Sequence, residues 1–285
     1  MSLLRRDRRP PPAGEFLTLD GFRIHFERWG EAAPGMVMLH GYLSSSAAWH
    51  RVMPILSPHI QTVAMDLPGA GYSDRPLDIA YDLPSLAERI PRILDALGLE
   101  RPFLCGHSLG GSVALHAAAR FPDRVAGLVL ASPLAYRQLP PPGLRIAKRY
   151  PGLMRRFFSS PIGKLAIPKL VRKAAFAGEE ARDTVRSQRL IDHLDAPGGW
   201  EAATKMGLAA NESAPEADAL QRITCPVLLF WGRHDGVHPL KCAHRMMGDL
   251  SGPSQLIELT RSAHNCHEEE WQQFGDETVA WLTDK

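Results

Sequence analysis

Five residues, Gly106-His107-Ser108-Leu109-Gly110, carry the sharpest chemical signal in the chain. An apolar run, Phe103–Gly106, leads into them, and a helical pattern, Leu109–Arg120, leads out, with Gly111 directly following. Serine on a tight strand-to-helix turn has its hydroxyl pushed clear of the backbone, and glycines two residues to either side tolerate the crowding. The helix that begins there turns free N–H groups and its positive dipole end toward an incoming oxyanion. A plain glycine-rich turn fits the same five residues, but the strand–turn–helix setting favours a nucleophile at Ser108.

A serine nucleophile needs a base, and the base needs an acid to orient it. Twelve histidines compete for the first role. His264 stands apart because it follows the last apolar strand pattern, in Ser262-Ala263-His264-Asn265-Cys266-His267. Asp235 follows the preceding strand pattern, Cys225–Trp231, so the chain order is nucleophile, acid, base. Asp249 is the rival acid, on the helix pattern before the last strand, and His267 is the rival base; His234 and His238 flank the acid as structural residues. The third requirement is a pair of oxyanion donors. The backbone N–H of Leu109 is one, and the loop His40-Gly41-Tyr42 offers the other at the Tyr42 N–H, with Gly41 permitting close approach. No HExxH, CxxC or other tight ligand spacing occurs, so no metal and no cofactor is expected.

These residues need a scaffold, and the hydrophobic pattern describes one. Phe16–Leu19 and Phe22–Trp29 read as a hairpin turned at Asp20-Gly21. Apolar strands Met36–His40, Gln61–Leu67, Phe103–Gly106, Arg124–Ala131, Cys225–Trp231 and Gln255–Leu259 alternate with helical patterns around Ser46–Leu56, Leu83–Leu97, Leu109–Arg120, Pro239–Leu250 and Glu268–Leu282. Pro91 falls inside one of these and predicts a kink or break there, and Gly98 ends it. Such alternation implies a mostly parallel sheet covered on both faces. The rhythm lapses from 133 to 219. The expected organisation is a loose basic arm at 1–14, a core formed by 15–132 and 220–285, and an inserted helical lid at 133–219.

His40-Gly41-Tyr42, the loop from Asp66 to Asp74 (Asp-Leu-Pro-Gly-Ala-Gly-Tyr-Ser-Asp), Gly106 to Gly111, Gly232-Arg233-His234-Asp235 and Ala263-His264, in that order, resemble the blocks of the α/β-hydrolase superfamily, specifically its serine esterase and lipase-like members. The resemblance covers nearly everything outside the arm and lid. It implies the α/β-hydrolase fold, a triad of Ser108, Asp235 and His264, cofactor-independent cleavage of carboxylic esters, and a structural role for the Asp66–Asp74 loop. Serine at 108 separates the chain from haloalkane dehalogenases and epoxide hydrolases, which have aspartate there. Leu109 differs from the methionine of ring-cleavage C–C hydrolases and perhydrolases, and Gly41 stands alone where enzymes accepting tertiary-alcohol esters have three glycines. Ala263 replaces the usual glycine before the histidine, and proline iminopeptidases carry a different elbow. C–C bond, lactone or thioester hydrolysis, acyl transfer and a ligand-binding receptor remain alternatives within the same fold.

Composition bounds the partners. The 285 residues carry 33 basic and 31 acidic side chains, a formal net charge of +2. Yet Arg137 to Ala177 holds ten lysines and arginines and no acid, so +2 less +10 leaves −8 on the rest. Amphipathic lid helices with solvated basic faces account for this, as does a basic face that docks on an anionic membrane or attracts an anionic substrate. An apolar lid suits a medium or long acyl chain. Nucleic acid is not expected, for want of a recognisable binding module. The uncharged stretches 32–50 and 102–119 are broken by glycine, serine and histidine and do not read as membrane spans. No apolar run follows the first arginines, so no signal peptide is read, and four scattered cysteines suit a reducing compartment; a cytoplasmic location is expected.

Overall fold

The computed structural model describes residues 13–137, 149–150, 152, 156, 160, 162–163, 166, 169, 176–177 and 192–284. Residues 1–12 of the expected arm and most of the basic stretch lie outside the described residues. Of that stretch's cations, Arg137, Arg149, Arg156 and Lys169 are described and exposed, as are Tyr150 and Ile162.

Eight strands form one sheet: β1 (Glu15–Leu19), β2 (Phe22–Trp29), β3 (Met36–Leu39), β4 (Thr62–Met65), β5 (Phe103–His107), β6 (Gly127–Ala131), β7 (Val227–Gly232) and β8 (Ser254–Leu259). Their order is β1-β2-β4-β3-β5-β6-β7-β8, with β1, β2 and β4 paired antiparallel and every other pair parallel. The β1–β2 hairpin turns at Asp20 (φ 52°) and Gly21 (φ 83°), two successive left-handed residues whose twist suits a two-residue loop.

The α-helices whose full extent is described are α1 (Met53–Leu56), α2 (Leu83–Ala87), α3 (Ile90–Leu97), α4 (Ser108–Arg120), α5 (Gly199–Glu212), α6 (Ala217–Leu220), α7 (Lys241–Asp249), α8 (Cys266–Glu269) and α9 (Trp271–Thr283). Pro91 does break its helical pattern. The break falls just ahead of it, because proline fits the first turn of a new helix, where its missing N–H has no partner to lose. Gly98 closes α3 in the left-handed conformation at φ 71°. The pattern read as one helix over 268–282 is likewise divided into α8 and α9.

Strands β3 to β7 are buried along their whole length, whereas β1 alternates in and out at the edge. Alternate side chains of the inner strands enter two separate cores. Val37 and Leu39 join Leu104, Val113 and Ala117 on one face. Met36 and Met38 join Trp49, Phe230, Phe274 and Trp281 on the other. Period-two alternation with both faces apolar is what turns a central strand into an unbroken hydrophobic run.

β3 lies between β4 and β5, and the connections leaving β3 and β4 cover opposite faces of the sheet. In open α/β sheets, the crevice at such a reversal, beyond the carboxyl ends of the strands, is where sites are built.

Candidate active site

Strand register brings the candidate residues together. Leu39 of β3 pairs with Gly106 of β5, so the turns His40-Gly41-Tyr42 and His107-Ser108 leave the sheet side by side. Gly232 of β7 pairs with Leu259 of β8, so the loops bearing Asp235 and His264 also leave at one level. A Cβ on Gly232 would strike the carbonyl of Ala263, so this glycine lets the histidine loop pass over the end of β7.

Ser108 opens α4 at φ 48°, a left-handed conformation costly for any residue with a side chain. The glycines around it permit this. A Cβ on Gly106 would come 2.6 Å from Gly111 Cα, and one on Gly110 would collide with the carbonyls of Leu39 and His40. A Cβ on Gly41 would lie 2.5 Å from His107 Nδ1 and 3.3 Å from Ser108 Cβ, so the Gly41 backbone packs directly against the His107-Ser108 turn.

His264 Nε2 lies 2.9 Å from Ser108 Oγ, and His264 Nδ1 lies 2.9 Å from Asp235 Oδ2. All three side chains are buried. Since a carboxylate can only accept, Nδ1 carries the proton and Nε2 is left to accept from the serine hydroxyl. The other carboxylate oxygen, Asp235 Oδ1, accepts from the backbone N–H groups of Val237 (2.8 Å) and His238 (2.7 Å). Burial pushes Asp235 upward, but the imidazole beside it and these hydrogen bonds outweigh that, and its carboxyl sits below the ordinary range.

The rivals are placed elsewhere. Asp249 accepts from the Tyr136 hydroxyl at 2.5 Å and pairs with Arg245. His267 is fully buried in α8, its ring 4.5 Å from that of Trp49 and 4.4 Å from that of His107. His234 is exposed. His238, expected to be structural, packs edge-on against His264 with ring centroids 4.7 Å apart and donates from Nδ1 to the Ser132 carbonyl at 3.0 Å. Burial and the neighbouring His264 lower His238 to about 4, so it stays neutral.

Two supports escaped the sequence. His107, directly before Ser108, donates from Nε2 to the His264 carbonyl at 3.1 Å, and burial next to other imidazoles holds it well below the usual histidine range. Three consecutive glutamates tether the histidine loop. Glu268 accepts from the Asn265 side chain (3.0 Å), Glu269 from the Ala263 N–H (2.8 Å), and Glu270 from the Arg261 N–H (2.9 Å). An acidic run at a helix start is ordinary capping chemistry, which hid this second use. Among the described residues no group of three or more His, Cys, Asp or Glu is arranged to hold a metal ion, and no helix is long and apolar enough to cross a membrane.

A family model described as the alpha/beta hydrolase fold matches residues 34–270. The chain belongs to the α/β-hydrolase family. Its relatives include the pimeloyl-[acyl-carrier protein] methyl ester esterase of Aeromonas hydrophila, 30% identical over 247 residues, covering 85% of this chain and 92% of the relative. The uncharacterized hydrolase YugF of Bacillus subtilis is 27% identical over 258 residues, covering 88% and 91%. A thermophilic esterase from Thermogutta terrifontis superposes with a TM-score of 0.79 at 21% identity, over 94% of this chain and 96% of that one, a likeness of fold. This α/β-hydrolase therefore stands among esterase-like relatives, as its sequence blocks led one to expect.

Proposed function

We propose that this α/β-hydrolase is a serine hydrolase that cleaves carboxylic esters through an acyl-enzyme. The observation that carries the reading is the relay from Ser108 Oγ to His264 Nε2 and from His264 Nδ1 to Asp235, each step 2.9 Å, on a serine held at positive φ. Ser108 Oγ attacks the ester carbonyl as His264 takes its proton, and Asp235 holds the imidazole in the required tautomer and stabilises its charge. The backbone N–H of Leu109, in the first turn of α4 where helix amides have no internal partner, and that of Tyr42 receive the oxyanion. His264 then returns the proton to the leaving alcohol. A water, deprotonated by the same imidazole, releases the acyl group.

The segment between β6 and β7 acts in this reading as the lid, with a medium or long acyl chain beneath it. Trp200, Ala202, Met206 and Ala210 of α5 are buried, and the last three pack into the core beside the site. Each methylene buried there contributes about 0.8 kcal/mol, so esters with acyl chains of roughly eight to twelve carbons exceed acetate in kcat/KM. Faster cleavage of short chains under matched conditions overturns that part.

The decisive test is labelling with a fluorophosphonate. The wild type is expected to label and Ser108→Ala not to. An unlabelled wild type sinks the serine-hydrolase reading, and labelling without turnover of any ester, thioester or lactone points to a ligand-binding protein.

A further inference from the structure

Tyr42 enters the proposed chemistry through its backbone, yet its side chain spans from the β3 loop to α5. There the phenolic hydroxyl donates to the carbonyl of Ala203 at 3.0 Å. One helical turn on, Gly207 leaves room for the ring, since a Cβ at that position would lie 2.6 Å from the Tyr42 hydroxyl oxygen and 2.8 Å from Cζ. Ala203 and Gly207 share one face of α5 by their spacing of four. Glycine within a helix is less favourable than alanine by about 1 kcal/mol, so a seat for the tyrosine ring is a physical reason for its presence.

A second observation lies in the backbone. Leu43, immediately after Tyr42, stands at φ 57°. A left-handed leucine costs roughly 1–2 kcal/mol, so the loop does not adopt this shape unaided. Its supports are few and identifiable. His40 Nδ1 donates to the Gly41 carbonyl at 2.7 Å, Gly41 abuts His107 and Ser108, and the Tyr42 hydroxyl is fastened to α5. Among these described contacts, the last comes from outside the core strands and their turns.

We propose that Tyr42 is a positioning residue whose side chain ties the oxyanion loop to α5, so that its own backbone N–H is aimed at the oxyanion while that helix is docked. The inference rests on the serine-hydrolase reading and adds to it a physical link between the helical segment and the rate of the chemical step. Displacing α5 then lowers turnover as well as altering what binds.

The test uses two variants of the full chain that approach the contact from opposite sides, assayed with p-nitrophenyl butyrate and a fluorophosphonate. Tyr42→Phe removes one oxygen and leaves the backbone donor. Gly207→Ala leaves Tyr42 intact and fills its seat. Losing a whole oxyanion donor costs 10²–10³ in turnover, and a displaced one is expected to lower kcat about tenfold with KM within about twofold. The rate of fluorophosphonate labelling falls in the same proportion, because that adduct forms at the same oxyanion site. Wild-type kcat and labelling rates in Tyr42→Phe overturn the proposal, as does a loss confined to KM or to thermal stability. If Gly207→Ala does not fold, Tyr42→Phe decides alone. A wild type that neither labels nor turns over ester ends the serine-hydrolase reading itself, an outcome distinct from a labelled wild type with indifferent variants.

Discussion

Two buried aspartate–histidine pairs in this molecule share the same local geometry, with Nδ1 2.9 Å from a carboxylate Oδ2, and differ in what the second ring nitrogen meets. In one, His264 Nε2 faces the Ser108 hydroxyl, which can donate. In the other, His25 of β2 bonds Asp66, and its Nε2 lies 2.5 Å from the Ala13 carbonyl, which cannot. His25 therefore has an acceptor at each nitrogen and is satisfied as an imidazolium. Burial opposes that charge, but the bond and charge of Asp66 prevail and its pKa is raised. Asp66 is held harder still. Its Oδ1 accepts from the Ser46 N–H at 2.6 Å and its Oδ2 from the Tyr72 N–H at 2.8 Å, and against the upward push of burial it is lowered to about 2. A charged pair with every position occupied is a clasp, joining β2, the end of β4 and the Asp66–Asp74 loop. An imidazole whose second nitrogen faces the hydroxyl of a serine at positive φ is placed to accept a proton. The pair itself does not distinguish them; the third partner does.

Substitution separates the two roles. Ser108→Ala or His264→Ala is expected to remove nearly all turnover, about 10⁴–10⁶ in kcat, with melting temperature changed little, measured by ester hydrolysis and thermal denaturation on the same samples. Asp66→Asn is expected to do the reverse. It leaves a buried imidazolium without its counter-charge and turns an amide toward N–H donors, so stability falls by about 3–5 kcal/mol in urea titrations while the folded fraction keeps its specific activity. Should Asp66→Asn abolish activity without loss of stability, the clasp would have to be counted part of the site.

The clasp also has a pH signature. His25, raised above its ordinary 6.5, contributes stability that is fully present below that value and is lost as pH rises through its folded pKa. Asp66, lowered from 3.8 to about 2, contributes stability that is present above 3.8 and is lost as pH falls toward 2. The stability difference between wild type and Asp66→Asn is therefore expected to be widest from about pH 4 to 6.5 and to shrink on both sides. A difference that grows steadily with pH above neutrality contradicts a charged His25.

How much of this could be read from the chain differs between the two pairs. Ser108, Asp235 and His264 announce themselves because each sits just beyond an apolar strand, and parallel register does the rest: Leu39 beside Gly106 and Gly232 beside Leu259 force the loops together. Gly106, Gly110 and Gly41 were legible for the same reason, since close backbone approach leaves a residue type as its trace. The clasp was legible on one side. The Asp66–Asp74 loop signalled a structural role, but His25 lies in β2, second from the sheet edge, where nothing local marks a polar residue that a distant loop will bury. Lone supports such as His107 and His238 were equally silent, for their partners are backbone carbonyls 157 and 106 residues away.

The two pairs differ finally in how they are braced, and Glu269 offers the finest test of that difference. Asp66 is fixed by amides from turns of the core itself, whereas the loop bearing His264 hangs on glutamates of α8. Glu269 accepts from the Ala263 N–H with Oε2 and from the Ala177 N–H, between β6 and β7, with Oε1 at 2.6 Å. Glutamine at this position has one acceptor oxygen and one donor group, so it can keep one of these bonds and must present N–H to N–H at the other. If the tether positions the base, Glu269→Gln lowers kcat by about three- to tenfold, since displacements well under 1 Å are enough, while KM is unchanged. Loss of one charge-assisted bond of about 1.5–3 kcal/mol lowers the melting temperature by several degrees, and alanine at 269 deepens both effects. A lowered melting temperature with wild-type kcat would show the glutamates to be capping residues only. The base would then be held by Asp235, His107 and His238 alone, and the contrast with the self-contained clasp at Asp66 would disappear.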